Sequence, residues 1–231
     1  MRRSVRGASC AAQDTHYVRQ SIGFLAMMPV ALATEDILSE AIGLRLLAEL
    51  PAPVTPSLLL RKDGFGYLRS SMNKWRQLAQ HQTVLVLADL DQVSCPIELK
   101  AQWLGSKPAS SGLLLRIAVR EVESWVLADH EAMRKPTGNK GTLPPEPDTL
   151  PDPKQQLLKL AKLAARPIRQ DLVKEAGAVA SQGAGYNRRL TDWARSDWNP
   201  ERAAERSPSL QQTRIRIHEL ALRLQTGVDK Y

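Results

Sequence analysis

Apolar residues along this chain fall into two patterns. Short unbroken runs predict strands, and longer stripes at helical spacing predict helices. The densest run is Thr83 to Asp91, TVLVLADLD, which ends in two aspartates. A run this short, apolar and β-branched predicts a strand buried on both faces, at the centre of a parallel sheet. Val30 to Ala33 predicts the first strand. Thr34 follows as an N-cap, with Glu35 and Asp36 in the first turn, where negative charge suits the helix dipole. Ile37, Leu38, Ala41, Ile42, Leu44, Leu46 and Leu47 then make a helical stripe to about Leu50, and Pro51, Pro53 and Pro56 break it. Ser57 to Leu60 predicts a second strand, and Tyr67 to Gln80 a helix. Ile97 to Leu104 predicts a short helix, Leu113 to Val119 a fourth strand, and Arg120 to Arg134 a helix. Alternation of strand and helix predicts an α/β fold with a mainly parallel four-stranded sheet flanked by helices, joined by right-handed crossovers.

The pattern changes at Lys135. Lys135 to Pro153 is rich in proline and reads as a linker or lid. Helical spacing returns at Lys154 to Leu163, Ile168 to Ala178, Arg188 to Asp197 and Leu210 to Leu224, a basic helical C-terminal extension. At the other end, Met1 to about Ala26 carries Arg2, Arg3, Arg6 and Arg19 without periodicity. This segment reads as disordered or as a mis-assigned start, with Met27 or Met28 as the true one.

Composition narrows the function classes. With 231 residues there is room for one large domain or a domain with an appendage. The formal net charge of +8 favours a polyanionic partner, nucleic acid before an anionic membrane. Cys10 and Cys95 are too few for a disulfide framework or a zinc site, which points to a reducing cytoplasm. No apolar run approaches membrane-spanning length.

Candidate chemistry gathers at strand ends. Glu35 follows the first strand, Asp89 and Asp91 the third, and Glu121 and Glu123 the fourth. A doubly wound sheet brings such ends to one edge. In an extended chain Asp89 and Asp91 point to the same side. Like charges held together call for a cation or a shared proton between them, and among cations oxygen-only ligands suit Mg2+ or Mn2+. There is no HExxH, P-loop or dinucleotide fingerprint. Gly64-Phe65-Gly66 after Arg61-Lys62 is too short to specify a phosphate cradle.

These residues resemble the Toprim domain of topoisomerases, primases and OLD-family nucleases. The stretches ATEDILSEAIGLRLL, VLVLADLDQVSCP and RIAVREVESWVLADHEA are similar to an uncharacterised Toprim-like family related to OLD nucleases. Its members are often encoded near ATPases, including in prokaryotic defence loci. The likeness runs from about Pro29 to the end, through DPKQQLL, GAGYN and SPSL. It implies a Mg-dependent nuclease with an ATPase partner. Glu35 would be the acid/base, Asp89 and Asp91 the metal pair, and Glu121 or Glu123 a further acidic ligand. The glycine usual after the first glutamate is replaced by Asp36, and Glu40 competes with Glu35 for the acid/base role. A Toprim-like subunit that binds nucleic acid or an ATPase without catalysis is the alternative. Asp89-Leu90-Asp91-Gln92-Val93 also resembles the nucleophile loop of haloacid-dehalogenase phosphatases. That loop comes here after two earlier strands, and no Gly-Asp-x-x-x-Asp pair follows, so it ranks lower.

The C-terminal extension offers a second candidate. Arg188, Arg189, Arg214 and Arg216 mix with Trp193 and Trp198, and arginine forks suit phosphates while aromatic rings suit unstacked bases. Interleaved acids such as Asp192 and Glu219 favour a salt-bridged surface for any one arginine, and the patch as a whole favours nucleic-acid contact.

Overall fold

The computed structural model describes residues 29–226, apart from 52–53, 55, 63–65, 107–109 and 175–180. The expectations for Met1 to Ala26 and for Gly64-Phe65 lie outside the described residues. Four strands, β1 (Val30–Thr34), β2 (Leu58–Arg61), β3 (Thr83–Asp89) and β4 (Leu113–Ala118), form one sheet. Their order is β2-β1-β3-β4 and every pairing is parallel. The two central strands are buried almost throughout. Every residue of β1 is buried, and β3 is buried up to Asp89. Side chains alternate across the sheet, so the run feeds two cores at once. Leu85 and Leu87 join Leu32, Ile42 and Trp125 on one face. Val84, Val86 and Ala88 join Leu68, Trp75 and Leu99 on the other.

Helices cover both faces. They are α1 (Ile37–Ala48), α2 (Tyr67–Ser70), α3 (Met72–Leu78), α4 (Pro96–Leu104), α5 (Val122–Ala128) and α6 (His130–Thr137). After a 3-10 turn at Pro147–Thr149 come α7 (Pro153–Lys162), α8 (Arg166–Leu172), α9 (Tyr186–Ser196), α10 (Pro200–Ala204) and α11 (Pro208–Thr226). Gly43 lets α1 lie close on β1, since a Cβ there would stand 2.9 Å from the Leu32 methyls. The C-terminal helices share the core of the sheet. α9 packs on α1, α11 packs on β4, and Leu190, Trp198, Leu210 and Ile217 are buried with Leu32 and Leu87. The segment expected as a linker is tied in as well. Asp148 accepts hydrogen bonds from Ser207 Oγ (2.7 Å) and from the Ser209 N–H (2.8 Å) at the start of α11.

Several elements differ from the sequence expectation, each for a local reason. Thr34 belongs to β1, where it pairs with Arg61, and Asp36 is the cap, accepting from the Ser39 N–H at 2.7 Å. Glu35 therefore stands in the turn between strand and helix. The helix expected over Tyr67 to Gln80 is split at Ser71 (φ −94°, ψ 0°). The helix expected over Arg120 to Arg134 is split at Asp129. That buried carboxylate caps Ala132 and also accepts from the Asn199 N–H and the Arg202 guanidinium, so it fixes the chain out of helical geometry. The helix expected to reach Ala178 ends at Leu172. Val173–Lys174 (β5) then pairs antiparallel with Ser181–Gln182 (β6). Among the described residues, no helix is long and apolar enough to cross a membrane.

Candidate active site

The parallel register decides where the acids meet. β1 and β3 pair from Val30 with Thr83 to Ala33 with Val86. Glu35, two residues beyond the last pair, thus comes level with the end of β3 one strand away. On the other side Asp89 pairs with Ala118, so Glu121 and Glu123 follow from the next strand end. Glu35, Asp89 and Asp91 line one cleft of about 590 Å3, together with Arg69, Gln102 and Trp103.

Asp91 reaches the cleft by a different route from the one expected. β3 stops at Asp89, and Asp91 takes φ 51°, the left-handed region that Asp tolerates better than most residues. The turn is pinned from β4. The Leu90 and Asp91 N–H groups donate to the Arg120 carbonyl at 2.9 and 3.0 Å, and the Arg120 guanidinium donates to the Val93 carbonyl at 2.7 Å. The Val119–Arg120 peptide is cis. Asp89 is fixed too, because its Oδ1 accepts from the Val122 N–H at 2.9 Å, at the start of α5.

Behind this front row stand the two later acids. Glu121 accepts from the Lys154 backbone N–H at 3.1 Å, which caps α7. Glu123 is buried and accepts from the Tyr186 hydroxyl at 2.9 Å, with Lys154 Nζ 3.7 Å away. The Lys154 ammonium also lies over the Tyr186 ring, 5.7 Å from its centre. Lys154, Tyr186 and Arg120 lie in stretches that carry the resemblance, DPKQQLL, GAGYN and RIAVREVESW, but nothing in those stretches assigns them a role at the site. Their placement depends on α7 and α9 folding back on the strand ends.

The electrostatics follow from that crowding. Burial, then Asp91 and Asp36, push the Glu35 carboxyl up to about 7. Burial pushes Asp89 well above the usual carboxylate range, with Glu123, Asp36, Asp91 and Glu35 adding to it. Burial raises Asp91, and Lys154 works against the rise. Burial also raises Glu121, opposed first by the Lys154 N–H. Glu123 is pushed up to about 7 by burial, with Glu121 and Asp36 adding and Lys154 and the Tyr186 hydroxyl opposing. Six carboxylates, counting Asp36, thus act on one another across this end of the sheet. Such an accumulation is unfavourable unless protons or a cation offset it.

The donor set is all oxygen, which fits a hard divalent ion. Among the described residues no three His, Cys, Asp or Glu side chains are grouped closely enough to hold an ion directly. An ion held here would take one or two carboxylates and complete its shell with waters.

The remaining candidates lie elsewhere. Glu40 is buried on α1 and paired with Arg61 at 3.2 Å, on the β2 side. Arg189 is bound to Asp171 at 3.0 Å, and Arg188 reaches the same carboxylate at 3.7 Å. Arg214 clasps Glu49 with two bonds of 2.9 and 3.1 Å, and Arg216 pairs with Glu219 at 2.7 Å. The four arginines thus stand on two helices, each beside a carboxylate. The chain matches no protein-family model, no curated protein and no solved structure.

Proposed function

We infer that the cleft at the strand ends is the active site of a divalent-metal-dependent phosphodiesterase acting on nucleic acid, in a Toprim-like setting. One observation carries this reading. Glu35, Asp89 and Asp91 come from two adjacent strand ends to one cleft, and all three carboxyls are raised by burial in it. Asp89 and Asp91 would hold Mg2+ or Mn2+, with Glu121 and Glu123 behind them. When bound, the ion supplies positive charge that offsets the acids and stabilises charge on a transferring phosphoryl group.

The chain's own groups divide the remaining tasks. Glu35, with its carboxyl at about 7, exchanges a proton near neutral pH. It is suited to take one from an attacking water or give one to the leaving oxygen. Arg120 holds the turn that presents Asp91. Lys154 and Tyr186 keep Glu123 oriented and partly neutralised. The resemblance to OLD relatives adds an ATPase partner, a cytoplasmic location and a place in prokaryotic defence, which co-purification from a native host tests.

Asp36, which stands where the resemblance expects a glycine, supports a second reading, a module that binds nucleic acid without cutting it. Asp89→Asn separates the two. The nuclease loses magnesium-dependent cleavage of DNA or RNA and keeps binding. A binding module cleaves in neither form. Turnover of a small phosphomonoester, lost in the same variant, would instead support the dehalogenase-type alternative.

A further inference from the structure

The cleft has a second wall that the acids do not explain. Trp103, near the end of α4, is half-buried. One side of it packs with the core around Leu99, a turn earlier on the same face, and it also lines the cleft. Arg69 of α2 lines the cleft as well, is exposed, and its guanidinium has no partner among the described residues. Among the core tryptophans the indole N–H is bonded in Trp125, Trp193 and Trp198 but, among the described residues, not in Trp75, so what sets Trp103 apart is its place on the cleft. Trp125 and Trp198 are fully buried, and their indole N–H groups are bonded to Ser209 Oγ (2.7 Å) and to the Trp125 carbonyl (3.0 Å). The Trp103 indole N–H has no such bond among the described residues.

Charge limits what can enter. Among the described residues, four acids line the cleft, Glu35, Asp89, Asp91 and Glu98, against one cationic side chain, Arg69. Duplex binding is driven by many lysine and arginine contacts to phosphates, and this cleft offers one. Its volume of about 590 Å3 is that of a small-ligand pocket, too small for the side of a duplex. An unpaired nucleotide is different. It exposes a base face that can stack on an indole, and it brings a single phosphate to an arginine fork.

We propose that Trp103 and Arg69 are the substrate-binding wall of this site, and that the substrate is a single strand or a splayed nucleotide, with its base on Trp103 and the adjoining phosphate on Arg69. The proposal rests on the nuclease reading for which strand is cut, but it concerns binding.

The test uses the full chain with calcium and fluorescein-labelled oligothymidylate and oligouridylate of about a dozen nucleotides, beside a duplex of equal length, read by fluorescence anisotropy. Trp103→Leu keeps the apolar contact with the core and removes the stack. It is expected to weaken single-strand binding by about 5- to 100-fold, as loss of one base–aromatic stack does. Trp103→Phe is expected to keep most of the affinity, and duplex binding to stay unchanged in both. Arg69→Ala is expected to weaken single-strand binding several-fold and to lower the salt slope by about 0.7, the share of one phosphate contact. The thymidylate and uridylate arms tell DNA from RNA. Single-strand affinity that is equal in Trp103→Leu and wild type overturns the proposal. So does an equal loss for duplex and single strand. Binding that follows Trp103 while magnesium and manganese support no cleavage refutes the nuclease reading alone.

Discussion

Two charged regions of this protein make opposite use of their charges. At the carboxyl end of the sheet, six acids act on one another across a half-buried cleft edge, and Lys154 is the cation set among them. Along α9 and α11, the arginines that first suggest a nucleic-acid surface each stand beside a carboxylate. The second arrangement lowers the energy of the fold and asks for nothing further. The first raises it, and a protein keeps such an arrangement where something outside the chain relieves it. Net charge pointed towards the arginines, but geometry moves the chemistry to the acids.

The largest expected effect breaks the acidic region. Asp89→Asn is expected to reduce magnesium-dependent cleavage about 100- to 1000-fold, the scale for losing a group that stabilises developing charge. The side-chain oxygen still accepts from the Val122 N–H, so the fold is expected to hold. Its melting temperature without metal is expected to equal or exceed that of wild type, because a repelled buried carboxylate has gone. Calorimetry showing a large fall would make Asp89 a structural cap instead. Asp129→Ala is the matching cut in a paired region. It removes the buried acceptor shared by the Arg202 guanidinium and the Asn199 N–H, while Arg202 is one-third exposed and keeps Glu131 within 3.7 Å, and is expected to cost about 1–3 kcal/mol in denaturant unfolding. A loss below about 1 kcal/mol would mean that water replaces those bonds easily.

Much of this contrast was legible in the sequence, though not its reason. The run Thr83 to Asp89 announced a buried central strand because its apolar residues suit both faces of a sheet. The strand-end position of Glu35, Asp89, Glu121 and Glu123 followed from the alternation of strands and helices. Asp91 was legible as a cleft residue but for the wrong cause, since the turn held by Arg120 aims it, and not an extended backbone. Lys154, Tyr186 and Trp103 were not legible as site residues. Each comes from a helix whose docking angle is set by long-range packing, and no local pattern encodes that angle. The pairing of the arginines was hidden for the same reason. Arg214 meets Glu49 across 165 positions of chain, beyond any spacing rule.

A smaller effect tests whether the acids are in fact repelled. Glu35 and Glu123 have folded-state values of about 7 against 4.5 when unfolded. In that interval the folded protein holds protons that the unfolded chain has released, so stability falls as pH rises from 4.5 to about 7. Without metal, the melting temperature is expected to drop by roughly 5–10 °C across the window, after discounting Glu35 for its partial exposure. Added magnesium or manganese is expected to recover most of the loss above pH 7 and little near the acid end, where protons already offset the charge. A flat profile, or one that the ions shift equally at both ends, would mean that water screens these acids well.

The smallest expected effect probes the arginines. Arg216 pairs with Glu219 three residues on, and both side chains are about half exposed. Such a pair contributes about 0.2–0.5 kcal/mol. Arg216→Ala is therefore expected to move the unfolding midpoint barely above error and to change nucleic-acid affinity less than twofold. Arg188 is the sharper probe, because it is 72% exposed and shares Asp171 with Arg189, which holds that carboxylate more closely. Arg188→Ala leaves the Arg189–Asp171 pair intact, so any loss of binding belongs to Arg188 itself. Anisotropy measured over a range of salt separates the cases. An unchanged salt slope in both variants confines nucleic-acid contact to the cleft. A slope reduced by about 0.7 to 0.9 in Arg188→Ala alone would mean that the exposed end of α9 carries one phosphate contact, and that the paired region is an interface at this single unsaturated position.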